Sequence, residues 1–414
     1  MFELDPAFIR PTYDSHSFIA LPRSIAGLFG RGTTALHPEV LAGLPEHYTK
    51  VVVILADGFA WHLFERFAGD HPALRRCIDR GTATRFNAQF PSTTAAHVTA
   101  LHTGLEVGQS GIYEWQYYEP SLDAIIVPLI FSFAGTHEHE LLTAAGVDPT
   151  SILPPGTLYR QLAAQGIASA VFQPKEFDPS AYSDHMCQGA TRVGYRTLPE
   201  ACVNLQCALH ENTGPAYYLL YFDRIDTMAH QYGPDSPQIE AEIDAFLTTL
   251  ERQFLSQIGD CTDTLVLLTA DHGETGIDPA TTLYLDRDPA FHGIMRYLKT
   301  DRAGHPLAPA GAPRDLFLHV HEEMLDEAHD FLTRRLAGRA AVYRTSDMIA
   351  AGFFGAEPPG EPFRARVGNL VILPHQGESV WWFEQGRFEL HYYGYHGGLS
   401  PDELEIPLLA YAPS

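Results

Sequence analysis

The sequence lacks paired cysteines and long apolar segments. Only five cysteines occur among its 414 residues. None of them forms a CxxC motif, so neither a disulfide framework nor a thiolate zinc site is expected. No stretch approaches the roughly 18 uncharged apolar residues of a membrane-spanning helix, and the N-terminal segment does not resemble a secretory signal. We therefore expect a cytoplasmic protein that has no membrane partner.

Positive charge is also scarce. Lys and Arg number 27 against 51 Asp and Glu, which gives a net charge of −24. This balance argues against stable nucleic-acid binding, although metal ions can locally reverse the field around a phosphate. The chain is 45% hydrophobic, which is enough to bury a large core and excludes wholesale disorder. The 21 histidines call for an explanation. The sequence does not indicate the oligomeric state.

Short apolar runs alternate with helical segments over most of the chain. Runs typical of buried parallel strands are Val51–Ala56, Ile167–Phe172, Tyr217–Phe222, Thr264–Ala270 and Pro407–Tyr411. The predicted helices are Ser92–Thr103, Thr157–Gln165, Leu198–Glu211 and Gln238–Ile258. This alternation predicts an α/β fold whose mostly parallel central sheet is covered by helices on both faces.

The segment from residue 276 to residue 391 has a different composition, with clusters of proline and glycine. We expect it to form a smaller inserted α+β cap, while residues 1–275 and 392–414 form the core domain. The cap is predicted to contain a β-α-β unit and a hairpin. The unit would comprise Leu316–Val320, Glu322–Leu336 and Ala341–Tyr343, and the hairpin would pair Val367–Leu373 with Ser379–Phe383.

Three aspartates follow predicted strands. Asp57, Asp226 and Asp271 stand just after strand ends, where chemistry is concentrated in parallel sheets. His272 follows Asp271 directly, and such a pair can present an oxygen and a nitrogen to one cation. Asp57 alone could equally cap the next helix. The strand-end positions favour a metal site.

Two further histidines are candidate ligands. Asp226 and His230 have an i,i+4 spacing that places them on one face of a helical turn, although a helix-start Asp with a core His is equally compatible. His396 lies in the glycine-rich segment Tyr395–Gly398, where the backbone can approach an ion. His391 is the alternative to His396.

A candidate nucleophile lies in the segment Pro91-Ser92-Thr93-Thr94. Pro-Ser before an apolar helix is typical of a helix N-cap, so a structural role for Thr94 is the simpler interpretation. Free N–H groups and the dipole at a helix N-terminus also favour an anion, either an alkoxide or a phosphoryl oxygen. Thr94 is therefore a candidate for both roles.

Taken together and in this order, the segments resemble the type I phosphodiesterase/nucleotide pyrophosphatase family of the alkaline phosphatase superfamily. The matching motifs are ILADG, FPSTT…HTG…SGIY, DxxxHxxGP, TADHGE and YHGG. The resemblance runs from about residue 50 to the C-terminus and covers the cap only loosely. It implies an alkaline phosphatase-like core and a two-metal hydrolase. Its substrate would be a small-molecule phosphate ester or nucleotide, cleaved through a phospho-threonine intermediate on Thr94.

The resemblance also implies the ligands of two divalent ions. One ion would be held by Asp226, His230 and His396, and the other by Asp57, Asp271 and His272, with Thr94 as nucleophile at the second ion. Ligation by Asp and His suits Zn²⁺, with Mn²⁺ or Fe as alternatives. The positive charge of two such ions would balance the negative charges of three aspartates and a Thr94 alkoxide. An incoming ester would then meet no net repulsion.

The sequence departs from the family pattern at two places. Tyr221 fits an aromatic position that grips a nucleoside, but Ala95 stands where a second aromatic residue would follow the nucleophile. His97 replaces a phosphate-binding Asn and would make that contact instead. Phosphate binding is thus better supported than nucleotide specificity.

Two alternatives remain open. A phosphomonoesterase or phosphonate hydrolase could use the same scaffold, but a dianionic phosphoryl group needs extra positive charge. No Arg or Lys lies between Arg85 and Arg160, which leaves Lys175 or Arg296 as possible sources. A non-catalytic, metal-stabilised binding protein is the second alternative. It would be expected to lack a ligand or the nucleophile, whereas this chain retains the full set.

Overall fold

The computed structural model describes residues 2–413 and contains a seven-stranded sheet and several smaller ones. The strands in chain order are β1 (Lys50–Ala56), β2 (Gly81–Asn87), β3 (Tyr117–Glu119), β4 (Ala124–Val127), β5 (Ser132–Phe133), β6 (Ala168–Pro174), β7 (Thr191–Tyr195), β8 (Ala216–Phe222), β9 (Thr264–Thr269), β10 (Thr275–Gly276), β11 (Leu283–Tyr284), β12 (Leu316–Leu318), β13 (Ala340–Arg344), β14 (Leu370–Pro374), β15 (Val380–Trp381), β16 (Gly394–Tyr395) and β17 (Glu405–Tyr411).

Helices fill most of the intervals between these strands. They are α1 (Ala20–Leu28), α2 (Trp61–Ala68), α3 (Pro72–Asp79), α4 (Thr94–Thr103), α5 (Val107–Ser110), α6 (Leu141–Ala144), α7 (Leu158–Ala164), α8 (Ala181–Met186), α9 (Leu198–Glu211), α10 (Arg224–Tyr232), α11 (Pro237–Leu250), α12 (Leu325–Leu336), α13 (Thr345–Ala350), α14 (Glu361–Arg366) and α15 (Pro401–Leu404). A π-helical turn, Glu251–Leu255, extends α11. None of the helices in residues 2–413 is long and apolar enough to cross a membrane.

The central sheet has the strand order β2-β17-β9-β1-β8-β6-β7. All of its strands run in one direction except β17, which is antiparallel to both β2 and β9. The predicted mostly parallel sheet, flanked by helices, is therefore confirmed. The parallel direction expected for residues 407–411 is wrong, because an apolar run encodes burial but not strand direction. The two edge strands, β2 and β7, escaped prediction because they are only partly buried and lack a continuous apolar run.

The register of the three central strands brings their carboxyl ends together. Ala56 at the end of β1 pairs with Phe222 at the end of β8, and Leu55 pairs with Thr269 at the end of β9. The loops that follow these strands therefore start at one edge of the sheet. All the residues predicted to follow strand ends lie at this edge.

The predicted cap contains the three-stranded antiparallel sheet β12-β14-β13. The expected β-α-β unit is present as β12, α12 and β13. The expected hairpin is wrong, because β14 inserts between β12 and β13 while β15 pairs with β11. The central β14 is fully buried and apolar, so it needs a hydrogen-bonding partner on each side.

Two buried ion pairs join the predicted cap to the predicted core. They connect Arg314 to Glu403 at 2.9 Å and Arg366 to Glu119 at 2.7 Å. The cap sheet also packs one face on the main hydrophobic core, whereas its other face covers a second apolar cluster. The boundaries of the two domains stay a prediction.

The cysteines are unpaired, as expected. Four of them are buried, whereas Cys207 is exposed. The cytoplasmic location also stays a prediction.

Candidate metal centre and active site

A fully buried group of side chains lies beyond β1 and β9. Asp57, Asp271 and His272 are each no more than 1% exposed. His272 Nε2 lies 3.4 Å from Asp57 Oδ1 and 3.4 Å from Asp271 Oδ2. The other ring nitrogen, Nδ1, donates to the carbonyl oxygen of Gly273 at 3.2 Å, so Nε2 directs its lone pair at the carboxylates.

Backbone contacts fix the orientation of Asp271. Its Oδ1 accepts hydrogen bonds from the backbone N–H groups of Gly58, at 3.2 Å, and His272, at 3.0 Å. Its Oδ2 is buried and has no hydrogen-bond partner. A lone pair and acceptor-only oxygens that face one another require a cation or a proton between them. The donor set therefore fits a metal ion.

Thr94 borders this group at the first residue of α4. Its Oγ1 lies 3.0 Å from His272 Nε2 and 3.4 and 3.5 Å from the two Asp57 oxygens. The helix begins later than predicted, since the N-cap position is Thr93, whose side chain makes no capping bond. Thr94 is thus placed both at a helix N-terminus and against the candidate ligands.

A second, less buried group adjoins the first. Asp226 and His230 lie on α10, and His396 directly follows β16. Asp226 Oδ1 lies 3.5 Å from His230 Nε2 and 3.8 Å from His396 Nε2, and it has no hydrogen-bond partner. His230 Nδ1 donates to Gly394 O at 2.7 Å and His396 Nδ1 donates to Ser92 O at 2.9 Å. Such carbonyl contacts orient histidine ligands of metals.

The two groups form one continuous cluster. The rings of His272 and His396 stack with their centroids 3.8 Å apart. The ligand atoms of Asp226, His272 and His396 all lie within 4.8 Å of one another, as do those of Asp57, Asp271 and His272. All seven predicted residues are therefore brought together. Their division between two ions stays a prediction.

The charges of the cluster are mutually unfavourable without a cation. Burial, and then the charges of Asp271 and Asp226, raise the pKa of Asp57 well above its ordinary value. Burial, and then the neighbouring His272 and His230, hold the pKa of His396 well below its ordinary value. A divalent ion would stabilise ionised carboxylates and neutral imidazoles at the same time.

Glu274 also belongs to the cluster, although no pattern in the sequence predicts it as a ligand. It is 2% exposed, and burial followed by the charge of Asp226 raises its pKa well above the ordinary value. Its only signal in the sequence is its place directly after Asp271-His272-Gly273.

The structure does not support the phosphate contact predicted for His97. The ring is fully buried, and burial lowers its pKa to about 4. Nε2 accepts the backbone N–H of Gln89 at 2.8 Å, and Nδ1 donates to Thr93 O at 2.8 Å. Because both ring nitrogens are already bonded to the backbone, His97 supports the entry to α4 rather than offering a donor to a ligand.

Tyr221 and His391 have different positions relative to the centre. Tyr221 lies at the centre, where its hydroxyl donates to Asp57 Oδ2; its grip on a nucleoside stays a prediction. His391 is 73% exposed and pairs with Glu389 at 3.2 Å. Of the two alternative histidines, His396 is thus the one at the cluster.

Comparison with known proteins assigns the chain to a family. Residues 51–397 match the family model of type I phosphodiesterases/nucleotide pyrophosphatases. The chain belongs to this family. It is accordingly a phosphoric ester hydrolase, and the family is metal-dependent and typically uses two ions. A phospho-threonine mechanism fits this family. The search of curated proteins found no match to the sequence.

Solved structures show the same fold. Murine ectonucleotide pyrophosphatase/phosphodiesterase 5, described as an inactive variant in complex with AMP, aligns with a TM-score of 0.65 at 18% identity over 88% of each chain. The human ectonucleotide pyrophosphatase/phosphodiesterase 5 aligns with a TM-score of 0.63 at 17% identity, again over 88% of each chain. The fold is thus the alkaline phosphatase type.

Proposed function

We propose that this phosphoric ester hydrolase uses Thr94 as its nucleophile, with two divalent ions around it. One ion would be held by Asp57, Asp271 and His272, and the other by Asp226, His230 and His396. The proposal rests chiefly on the position of Thr94 Oγ1, 3.0 Å from His272 Nε2 at the start of α4. A threonine that served only as the first residue of a helix would not need a cluster of acceptor groups at its hydroxyl.

The reaction would proceed in two displacements. Thr94 Oγ1 loses its proton to solvent and forms a bond to phosphorus while the bond to the leaving oxygen breaks, and the leaving oxygen takes up a proton from solvent. Water then cleaves the phospho-threonine and restores the hydroxyl. Bound divalent ions would lower the pKa of the hydroxyl and offset the charge of the phosphoryl group. The unpaired N–H groups in the first turn of α4 add a favourable dipole for a phosphoryl oxygen.

Zn²⁺ is the ion we propose, with Mn²⁺ or Fe as alternatives. The cluster offers both imidazole nitrogens and carboxylate oxygens, and this mixture suits all three metals. The carbonyl contacts at the Nδ1 atoms of His230, His272 and His396 leave the Nε2 atom of each ring for a metal.

A diester or pyrophosphate is the substrate class that the charges of the site favour. In residues 2–413, the ion pairs of Asp57, Asp226 and Asp271 are all with histidines. Arg296, one possible source of positive charge, is instead exposed and paired with Glu327 at 2.6 Å. A singly charged diester needs less compensation than a dianionic monoester. Binding of AMP by the murine relative supports a nucleotide-type substrate.

The experiment compares esters and variants. The protein is assayed with p-nitrophenyl monoesters, p-nitrophenyl diesters and dinucleotides, each with Zn²⁺ and with Mn²⁺. We expect diesters to be preferred and Thr94→Ala to lower kcat by at least about 1,000-fold. Thr94→Ser keeps a hydroxyl at the same place and is the matched control, which should retain far more activity.

Two outcomes would contradict the proposal. A tenfold or greater preference for monoesters would exclude the diesterase assignment. Hydrolysis that is unchanged in Thr94→Ala would exclude the nucleophile.

A further inference from the structure

Glu274 is a buried carboxyl group at the edge of the candidate metal centre. It directly precedes β10, and neither Oε1 nor Oε2 has a hydrogen-bond partner. A buried carboxylate without a partner is strongly destabilising. Because its side chain is only 1% exposed, bulk solvent does not replace the missing partner. A cation or a proton is therefore needed at this position.

The groups around Glu274 are ligands of the centre. Its Oε2 lies 3.8 Å from His230 Nδ1, but that nitrogen donates to Gly394 O at 2.7 Å. Glu274 is thus not the group that orients His230. One donor atom from each of Asp226, His230 and Glu274 lies within 4.8 Å of the other two, which makes the three residues a candidate site for one ion. His230 would contact that ion through Nε2, because its Nδ1 is bonded to Gly394 O.

The backbone holds the carboxylate in this place. β10 and β16 pair through Thr275 and Tyr395, which brings Gly394 against the side chain. A Cβ atom at Gly394 would come within 2.3 Å of Glu274 Oε2 and 2.4 Å of Ala229 O. A residue with a side chain would displace either the carboxylate or α10. The chain therefore has a glycine where the strand approaches the carboxylate most closely.

We propose that Glu274 is a fourth protein ligand of the ion held by Asp226, His230 and His396. This inference rests on the proposed function, because it assumes that these three residues form an ion site. It changes the chemistry of that site in two ways. A second carboxylate makes the site harder and more favourable to Mn²⁺ or Fe, and the added negative charge disfavours a dianionic substrate.

Metal binding tests the inference independently of catalysis. Metal-free protein is titrated with Zn²⁺ in competition with a chromophoric chelator, and the Co²⁺-substituted protein is examined by absorption spectroscopy. We expect the wild-type protein to bind two ions. Glu274→Gln should weaken the binding of one ion by more than about 100-fold, beyond the 10- to 100-fold loss typical of a residue that only orients a ligand, without affecting the other ion. It should also alter the Co²⁺ spectrum, because a carboxylate ligand is lost.

Matched variants distinguish failure of the Glu274 inference from failure of the proposed function. Wild-type affinities and an unchanged Co²⁺ spectrum in Glu274→Gln would overturn the inference. Asp226→Asn is the reference variant: if it also keeps both ions, the ligand set of the proposed function is wrong, whereas if it loses one, only the role of Glu274 is wrong. If Glu274→Gln does not fold, Glu274→Asp decides the question, because its shorter side chain should also weaken the binding of one ion.

Discussion

Within residues 2–413, buried carboxyl groups without full hydrogen bonding cluster in two regions, and only one of these has the composition of a metal site. In the candidate metal centre, Asp226 Oδ1, Asp271 Oδ2 and both oxygens of Glu274 lack partners. The second region lies behind the loop that carries His396, where Glu114 Oε1 and Asp315 Oδ2 also lack partners. A Cβ atom at Gly397 would lie 2.6 Å from Asp315 Oδ1 and 3.4 Å from Glu114 Oε1.

The neighbours of the carboxyl groups distinguish the regions. Imidazoles surround those of the centre, whereas Glu114 and Asp315 accept hydrogen bonds from the backbone N–H groups of Trp115 and Ala312. Burial raises the pKa of Glu114 to about 8, and burial together with the charge of Glu114 raises that of Asp315 well above its ordinary value. We infer that the second pair is stabilised by protons, and the centre by cations. Burial of acidic groups alone therefore does not indicate a metal site.

The largest expected effect concerns catalysis. Asp226→Asn and Asp271→Asn should each lower kcat/KM by at least about 100-fold, because each removes the charge of a metal ligand while keeping its shape. Glu114→Gln makes the same chemical change in the second region, and its kcat/KM should stay within a few-fold of the wild-type value. Steady-state kinetics on a diester substrate measure all three. An intact rate in Asp226→Asn would exclude the two-metal mechanism.

Removal of metal should lower the thermal stability of the protein through the candidate metal centre and not through the second region. A chelator should lower the melting temperature by several degrees, because ligand saturation at 100 times Kd contributes about 2.7 kcal/mol and its loss leaves the carboxylates of the centre uncompensated. Thermal unfolding with and without chelator measures this shift. Asp271→Asn should reduce the shift, whereas Glu114→Gln should leave it as in wild type. A melting temperature that does not respond to chelator would show that the folded protein does not bind metal.

The sequence predicts the positions of the candidate ligands well where they follow strand ends. Asp57 and Asp271 come directly after apolar runs, and the register of β1, β8 and β9 does bring those ends together. Glu274 could not be predicted in the same way, because its burial depends on the pairing of Thr275 with the distant Tyr395. The bonding of His97 likewise depends on Gln89 and on the path of the chain into α4.

The strand directions and edge strands of the central sheet show the same limit of prediction from local sequence. Apolar patterning identified β17 as a buried strand, but only its neighbours β2 and β9 determine that it runs antiparallel. Local sequence therefore predicts which segments are buried and which ligands follow them. It does not specify contacts between segments that are far apart in the chain.

A third prediction concerns the pH dependence of stability in the second region. The pKa of Glu114 in the folded protein is about 8, above its ordinary value of 4.5. The folded state therefore holds its proton more tightly than the unfolded state. The contribution of this proton is complete below pH 4.5 and is lost as the pH rises through 8. Each unit of pKa shift corresponds to about 1.4 kcal/mol.

Glu114→Gln removes this titration while keeping the shape of the side chain. Relative to wild type, the free energy of unfolding of Glu114→Gln should therefore rise between pH 5 and pH 8. Denaturant unfolding of metal-free protein at several pH values measures this difference, and the exposed Glu46→Gln serves as control. Parallel pH profiles for wild type and Glu114→Gln would mean that Glu114 is ionised in the folded protein. The second region would then need a cation after all, and the distinction between the two regions would fail.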